Sequence, residues 1–138
     1  MSSTKVAVLR RVTFNAAHRL NNPEWSAEKN KEVFGKCNNP NYHGHNYGLT
    51  VKVIGEVDPE TGFVIDLKIV KDILKKEIHD RFDHKNLNED CKEFFDLNPT
   101  VENIAVVIHK LVKDKLDPKF HLKIRLFETN NNFVDVTE

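Results

Sequence analysis

No stretch of this 138-residue chain approaches the roughly 18 consecutive apolar residues of a membrane-spanning helix. Net charge is absent too. Lys+Arg and Asp+Glu stand at 21 each, which argues against a nucleic-acid or anionic-membrane partner recruited by bulk charge, although a local basic patch can still hold a phosphate. Cysteine is scarce: Cys37 and Cys91 allow one disulfide at most. Met1-Ser2-Ser3-Thr4-Lys5 lacks the apolar segment of a signal peptide, so a cytoplasmic protein with reduced thiols is expected. Repeats, low-complexity stretches and linkers are missing. What is present, 39% hydrophobic and 30% charged residues, reads as one globular domain over residues 1–138.

The apolar pattern gives the order of elements. Residues 5–18 alternate as a strand, with Val6, Val8, Val12, Phe14, Ala16 and His18 on one face and Arg10 interrupting it. Residues 19–42 carry breakers (Asn21-Asn22-Pro23, Gly35, Asn38-Asn39-Pro40) and room for a short helix at 26–34. A loop of this length in a small domain is often functional. Residues 43–57 form a second strand, and Asp58-Pro59-Glu60-Thr61-Gly62 has turn chemistry. A third, short strand is expected at 63–65. Asp66 caps a helix to about Arg81, with Leu67, Val70, Leu74 and Ile78 as its stripe. Residues 82–98 read as irregular. A second helix runs from Thr100 to about Leu116, and the last strand occupies 119–128. The order β-β-β-α-α-β predicts an α+β domain: a four-stranded, largely antiparallel sheet with two helices on one face.

Chemistry-bearing residues fall at particular places on that plan. His43 and His45, at i and i+2 of a strand, share a face. Antiparallel pairing of the first two strands brings the end of one beside the start of the other, so His18 joins them. Three histidines leave a fourth position of a zinc ion open, the pattern of a catalytic rather than structural site. Cys37 lies six residues before His43. A cysteine is commonly just a small buried hydrophobe, but a nearby cation would favour its thiolate as base or nucleophile. Asp83-His84 is either surface decoration or a pair presented to a cleft. Glu128 ends an apolar stripe, where its carboxylate could accept two parallel N–H bonds from a guanidine-like edge such as an aminopyrimidinone. Thr100-Val101-Glu102 is explained by capping and an acidic first helical turn. His79, His109 and His121 have no partners in the pattern and read as solvated.

Several motifs together carry a resemblance. They are Phe14-Asn15-Ala16-Ala17-His18-Arg19-Leu20, then Phe34-Gly35-Lys36-Cys37-Asn38-Asn39-Pro40-Asn41 with His43-Gly44-His45-Asn46-Tyr47, Gly55-Glu56-Val57-Asp58-Pro59, Asp83-His84-Lys85-Asn86-Leu87, Thr100-Val101-Glu102-Asn103 and Glu128-Thr129. Over nearly its whole length the chain resembles the eukaryotic 6-pyruvoyl-tetrahydropterin synthase family. The resemblance implies a lyase of tetrahydrobiopterin biosynthesis that converts 7,8-dihydroneopterin triphosphate to 6-pyruvoyl-tetrahydropterin with loss of triphosphate. It implies zinc on His18, His43 and His45, and Cys37 as the proton-abstracting residue. Asp83 and His84 would be a coupled pair in proton transfer. Glu128 would anchor the pterin and join the relay, and Thr100 and Glu102 would lie at the substrate. No external redox cofactor is expected, in keeping with the lack of a Gly-rich dinucleotide fingerprint.

The implied fold is the tunnelling fold, in which sheets join into a barrel as trimers and two trimers stack into a homo-hexamer with active sites at subunit interfaces. Tyr42 departs from the family, which usually has Gly before His-Gly-His, and Asn15-Ala16-Ala17 replaces a more Ser-rich version. The rival expectations are 6-carboxytetrahydropterin synthase, which shares the zinc and Cys-Asp-His logic, and a non-catalytic zinc- or pterin-binding module.

Overall fold

The computed structural model describes residues 4–138. A single sheet with strand order β3-β1-β2-β4-β5 carries its helices on one face. Strand β1 (Lys5–His18) and strand β2 (His43–Glu56) pair antiparallel along their full lengths, from Lys5 opposite Glu56 to His18 opposite His43. Between them lie helix α1 (Ala27–Phe34) and a 3-10 turn (Gly35–Asn38). Ser26 caps α1 by accepting from the Lys29 amide at 3.1 Å, and Gly35 ends it at φ 56°, where a glycine is cheapest.

Helix α2 (Leu67–Leu74) starts at Asp66, whose carboxylate accepts from the Lys68 amide at 2.9 Å. It continues through a π-helical turn (Lys75–His79) into Asp80–Phe82. A two-residue strand β3 (Lys85–Asn86), a helical turn α3 (Leu87–Asp90) and a 3-10 turn (Lys92–Phe94) follow. Helix α4 (Val101–Lys113), strand β4 (His121–Phe127) and strand β5 (Phe133–Val136) complete the chain.

The core lies between the sheet and the two longer helices. Tyr47, Leu49, Val51 and Val53 of β2 alternate inward, as do Leu122, Ile124 and Leu126 of β4. They meet Val70, Leu74, Ile78 and Phe82 from the α2 segment and Ile104, Ala105, Ile108 and Val112 from α4. Burial of these side chains, each worth about 1.5–3 kcal/mol, is what stabilises the sheet against its helices. Both ends of the expected stripes are exposed: Leu67 at 48% and Val6 at 37%.

The expected α+β layout holds, with two corrections to the sheet. It has five strands rather than four, and 63–65 is not among them. Both edges of β2 are already taken, by β1 and β4, so 63–65 cannot pair beside the strand it follows. Instead the Asp58 amide donates to the Phe63 carbonyl at 2.8 Å, which closes the turn, and Val64 drops into the core. The strands missed are β3, parallel to β1 at Ala16 and Ala17, and β5, antiparallel to β4. Boundaries elsewhere shift by a few residues, as when α4 ends at Lys113.

Candidate active site and metal centre

The β1–β2 register builds one end of the sheet into a cluster. His18 lies directly opposite His43, and His45 lies opposite Ala16. All three point to the helix-covered face, and His18 is 1% exposed. Their ring nitrogens lie within 4.8 Å of one another. His18 Nδ1 donates to the Pro99 carbonyl at 2.7 Å, just before α4. That bond assigns the proton to Nδ1 and leaves the Nε2 lone pair facing His43 Nε2 at 3.1 Å.

Burial favours the neutral form of His18 and His45. It pushes His18 down to about 4, against the Pro99 hydrogen bond, and the neighbouring His43 and His45 push the same way. His45 is also lowered by burial, partly offset by the Glu128 charge. Among the described residues His45 Nε2 and His43 Nδ1 are buried without a hydrogen-bond partner, an arrangement that costs free energy unless something binds them. A divalent cation does so. An all-imidazole donor set with inward lone pairs fits zinc, with a position left for substrate.

Cys37 lies on the 3-10 turn after α1. That turn is stitched to the segment following His18. The Leu20 amide donates to the Cys37 carbonyl at 2.8 Å, and Asn38 Nδ2 donates to the Leu20 carbonyl at 2.7 Å. The thiol is half-buried; burial and then the Glu128 charge push it above its ordinary value. A cation in the cluster acts in the opposite direction, towards the thiolate. Glu128 closes the group. Its carboxylate oxygens lie 4.0 Å from His18 Nε2 and 3.9 Å from His45 Nε2, and its own amide donates to the Asn132 carbonyl at 2.9 Å in the β4–β5 turn.

Asp83 and His84 lie elsewhere. Asp83 Oδ1 accepts from the Asn15 amide at 2.8 Å, and Oδ2 meets His84 Nδ1 at 2.8 Å and His79 Nε2 at 3.2 Å. The Asn15 bond, with help from His84 and His79, holds the Asp83 carboxyl below its ordinary value. The His84 amide donates to the Asn15 carbonyl at 2.6 Å with φ at 59°, and its side chain is 80% exposed. Among the described residues, neither makes a polar contact with Cys37, Glu128 or the three histidines. Thr100 caps α4, accepting from the Asn103 amide at 3.1 Å, and Glu102 is exposed on its first turn.

Two participants escaped the sequence reading. The Pro99 carbonyl that orients His18 is backbone, and no side-chain pattern signals it. His79 is not the unpartnered residue expected; its i,i+4 spacing to Asp83 was the available signal. His109 and His121 also have partners, the Leu122 carbonyl at 2.9 Å and Glu138 at 3.3 Å. Tyr42, where glycine was expected, adopts φ 65° and donates to Glu89 at 2.7 Å. That bond holds the turn before His43 in a conformation unusual for a side chain.

This geometry can be set beside known proteins. A sequence model described as 6-pyruvoyl tetrahydropterin synthase matches residues 7–138. The 6-pyruvoyl tetrahydrobiopterin synthase of Homo sapiens is 45% identical over 127 residues, 92% of this chain and 88% of that protein. The one of Drosophila melanogaster is 41% identical over 136 residues, 97% and 81% of the two chains. The solved structure of Caenorhabditis elegans 6-pyruvoyl tetrahydropterin synthase superposes with a TM-score of 0.93 at 38% identity, covering 100% of this chain and 99% of that one. The tunnelling-fold subunit expected from the motifs is therefore the one observed. Likeness of this extent, over the residues that build the cluster as well as the core, has one meaning: the chain belongs to the 6-pyruvoyl tetrahydropterin synthase family.

Proposed function

We propose that the chain converts 7,8-dihydroneopterin triphosphate to 6-pyruvoyl-tetrahydropterin and inorganic triphosphate, with zinc on His18, His43 and His45. The observation that carries this reading is the set of three converging imidazoles, His18 fully buried and the other two partly so, with the Glu128 carboxylate beside them. Zinc held there supplies Lewis-acid stabilisation of negative charge on the substrate's side-chain oxygens. Glu128 accepts two N–H bonds from the aminopyrimidinone edge and fixes the ring. Cys37, as thiolate, removes a proton from a side-chain carbon next to an oxygen function. Triphosphate departs while the side chain is oxidised and the ring reduced, so electrons balance within the substrate. His84, oriented by Asp83, carries protons to and from the rearranging side chain. Thr100 and Glu102 contribute to substrate binding at the start of α4.

Assembly completes the site in this reading. The outer edge of β1 is covered by β3 only at Ala16 and Ala17, which leaves a long row of backbone groups for a neighbouring sheet. Asp83 and His84 sit on that edge, tied to Asn15. Edge-to-edge closure into trimers, stacked as a hexamer, carries them to the next subunit's cluster. No described helix is long and apolar enough to cross a membrane, and the enzyme is proposed to work in the cytoplasm.

The test is incubation of purified protein with 7,8-dihydroneopterin triphosphate, with and without a zinc chelator. Chelator-sensitive triphosphate release and a 6-pyruvoyl product are expected. A 6-carboxy product would move the activity to the carboxytetrahydropterin branch. Absence of release from zinc-loaded protein would leave a binding module.

A further inference from the structure

The ladder between β1 and β2 stops at His18 opposite His43. One step further the register would set Arg19 opposite Tyr42, but the pairing does not continue to them. Both are gripped instead by consecutive residues of α3. The Asn88 carboxamide accepts from the Arg19 amide and donates to the Arg19 carbonyl, each at 2.8 Å. Glu89 Oε1 accepts from the Tyr42 phenol at 2.7 Å. Asn86 caps α3, accepting from the Asn88 and Glu89 amides at 3.1 and 3.2 Å, and pairs with Ala17 of β1. This short helical turn therefore bridges the end of the strand pair. It holds the residue after one proposed ligand and the residue before another.

Tyr42 requires such a hold. At φ 65° its Cβ crowds the backbone, in a region that glycine enters freely. It closes a tight turn: its amide donates to the Asn39 carbonyl at 3.1 Å, and the Asn41 amide donates to Asn39 Oδ1 at 2.9 Å. A tyrosine left free there relaxes towards negative φ. His43 is the next residue, so that rotation turns the start of β2 away from His18, whose Nε2 now lies 3.1 Å from His43 Nε2. The Glu89 bond, with some burial, pushes the phenol above its ordinary value, and it remains a donor at neutral pH.

We propose that Tyr42 and Glu89 are positioning residues of the metal cluster: their bond holds the turn before His43 in its left-handed conformation and so fixes His43 against His18. The inference rests on the zinc reading of the three histidines and adds to it two residues that are not ligands. It also orders substitutions by what they do to the turn rather than by size. Glycine at 42 adopts this φ without a tether, whereas phenylalanine keeps the crowded Cβ and loses the bond.

The test is the zinc affinity of the whole chain, by competition with a chelating dye. Tyr42→Phe and Glu89→Ala should each weaken zinc about tenfold, and the double variant should be no weaker than either single one. Tyr42→Gly and Glu89→Gln, which keeps the acceptor, should stay within about threefold of wild type. The proposal is overturned if Tyr42→Phe matches wild type, if Tyr42→Gly binds more weakly than Tyr42→Phe, if Glu89→Gln loses as much as Glu89→Ala, or if the two single losses add. Amide hydrogen exchange over residues 39–44 of the metal-free chain separates this inference from the zinc reading. Exchange should be faster in Tyr42→Phe and Glu89→Ala than in wild type, and unchanged in Glu89→Gln. If wild type takes up no zinc while that pattern holds, the zinc reading fails and the hold on the turn stands. Equal exchange in all four proteins would overturn the hold itself.

Discussion

The histidine cluster and the Asp83–His84 pair are built on the same first strand, yet they are finished to different degrees. At the end of β1, His18 is 1% exposed and oriented by Pro99, and its neighbours have nitrogens with no hydrogen-bond partner among the described residues. Three residues earlier, at Asn15, the Asp83–His84 pair satisfies its own hydrogen bonds while the imidazole stands in solvent. One region converges three ring nitrogens on a point where a cation would fit. The other is internally satisfied and lacks something to act upon. The difference teaches that a single chain preorganises the histidine cluster but leaves the Asp83–His84 pair at an open sheet edge, where the proposed assembly would bring a second subunit to it.

The largest effect expected is at the cluster itself. His43→Ala should abolish stoichiometric zinc, read by metal analysis, and lower turnover about a thousandfold or more. Cys37→Ala should keep zinc and assembly and lose about 10²–10⁴-fold in kcat; a wild-type rate would assign the base elsewhere. Gly44 lies between two of the proposed ligands, and a Cβ there would stand 3.3 Å from the Ala16 carbonyl oxygen. Gly44→Ala should therefore spread β1 from β2 and weaken zinc about tenfold, measured by competition with a chelating dye. Unchanged affinity would mean that the register does not position the histidines.

The smallest effect belongs to the relay side. Asp83 has a depressed pKa when folded, first through the Asn15 amide. A depressed acid contributes stability that is present above its unfolded value, near pH 3.9, and is lost as pH falls through the lower folded value. The difference in thermal midpoint between wild type and Asp83→Asn should be flat at neutral pH and shrink only below about pH 4. A difference that already shrinks near pH 6 would point to His79 or His84 instead.

Much of this was legible in the chain. The alternation in residues 5–18 and 43–57, with the antiparallel rule, was enough to bring His18 to His43 and His45 before any coordinates. The stripe Val70, Leu74 and Ile78 located the core face of α2 because helical periodicity survives the π-helical turn. What was not legible depends on partners outside the local pattern. Residues 63–65 are apolar enough for a strand, but strand formation needs a free edge, and β2 has none. Strand β3 is two residues long and exists only because β1 offers an edge at Ala16. Strand β5 follows an Asn-rich turn whose hydrogen bonds, not its hydrophobicity, set the register. The roles of Cys37, Asp83, His84 and Glu128 came from family resemblance; geometry adds that Glu128 flanks the cluster and that Asp83 and His84 do not.

The most direct measurement is complementation between two inactive chains, Cys37→Ala and His84→Ala. They would be unfolded, mixed and refolded together, then assayed for triphosphate release from 7,8-dihydroneopterin triphosphate. If the base and the relay of one site come from different subunits, the mixture recovers a readily measured fraction of the wild-type rate, while each variant refolded alone stays inactive. A mixture no more active than its components would contradict the account and place Cys37 and His84 of one chain in the same site.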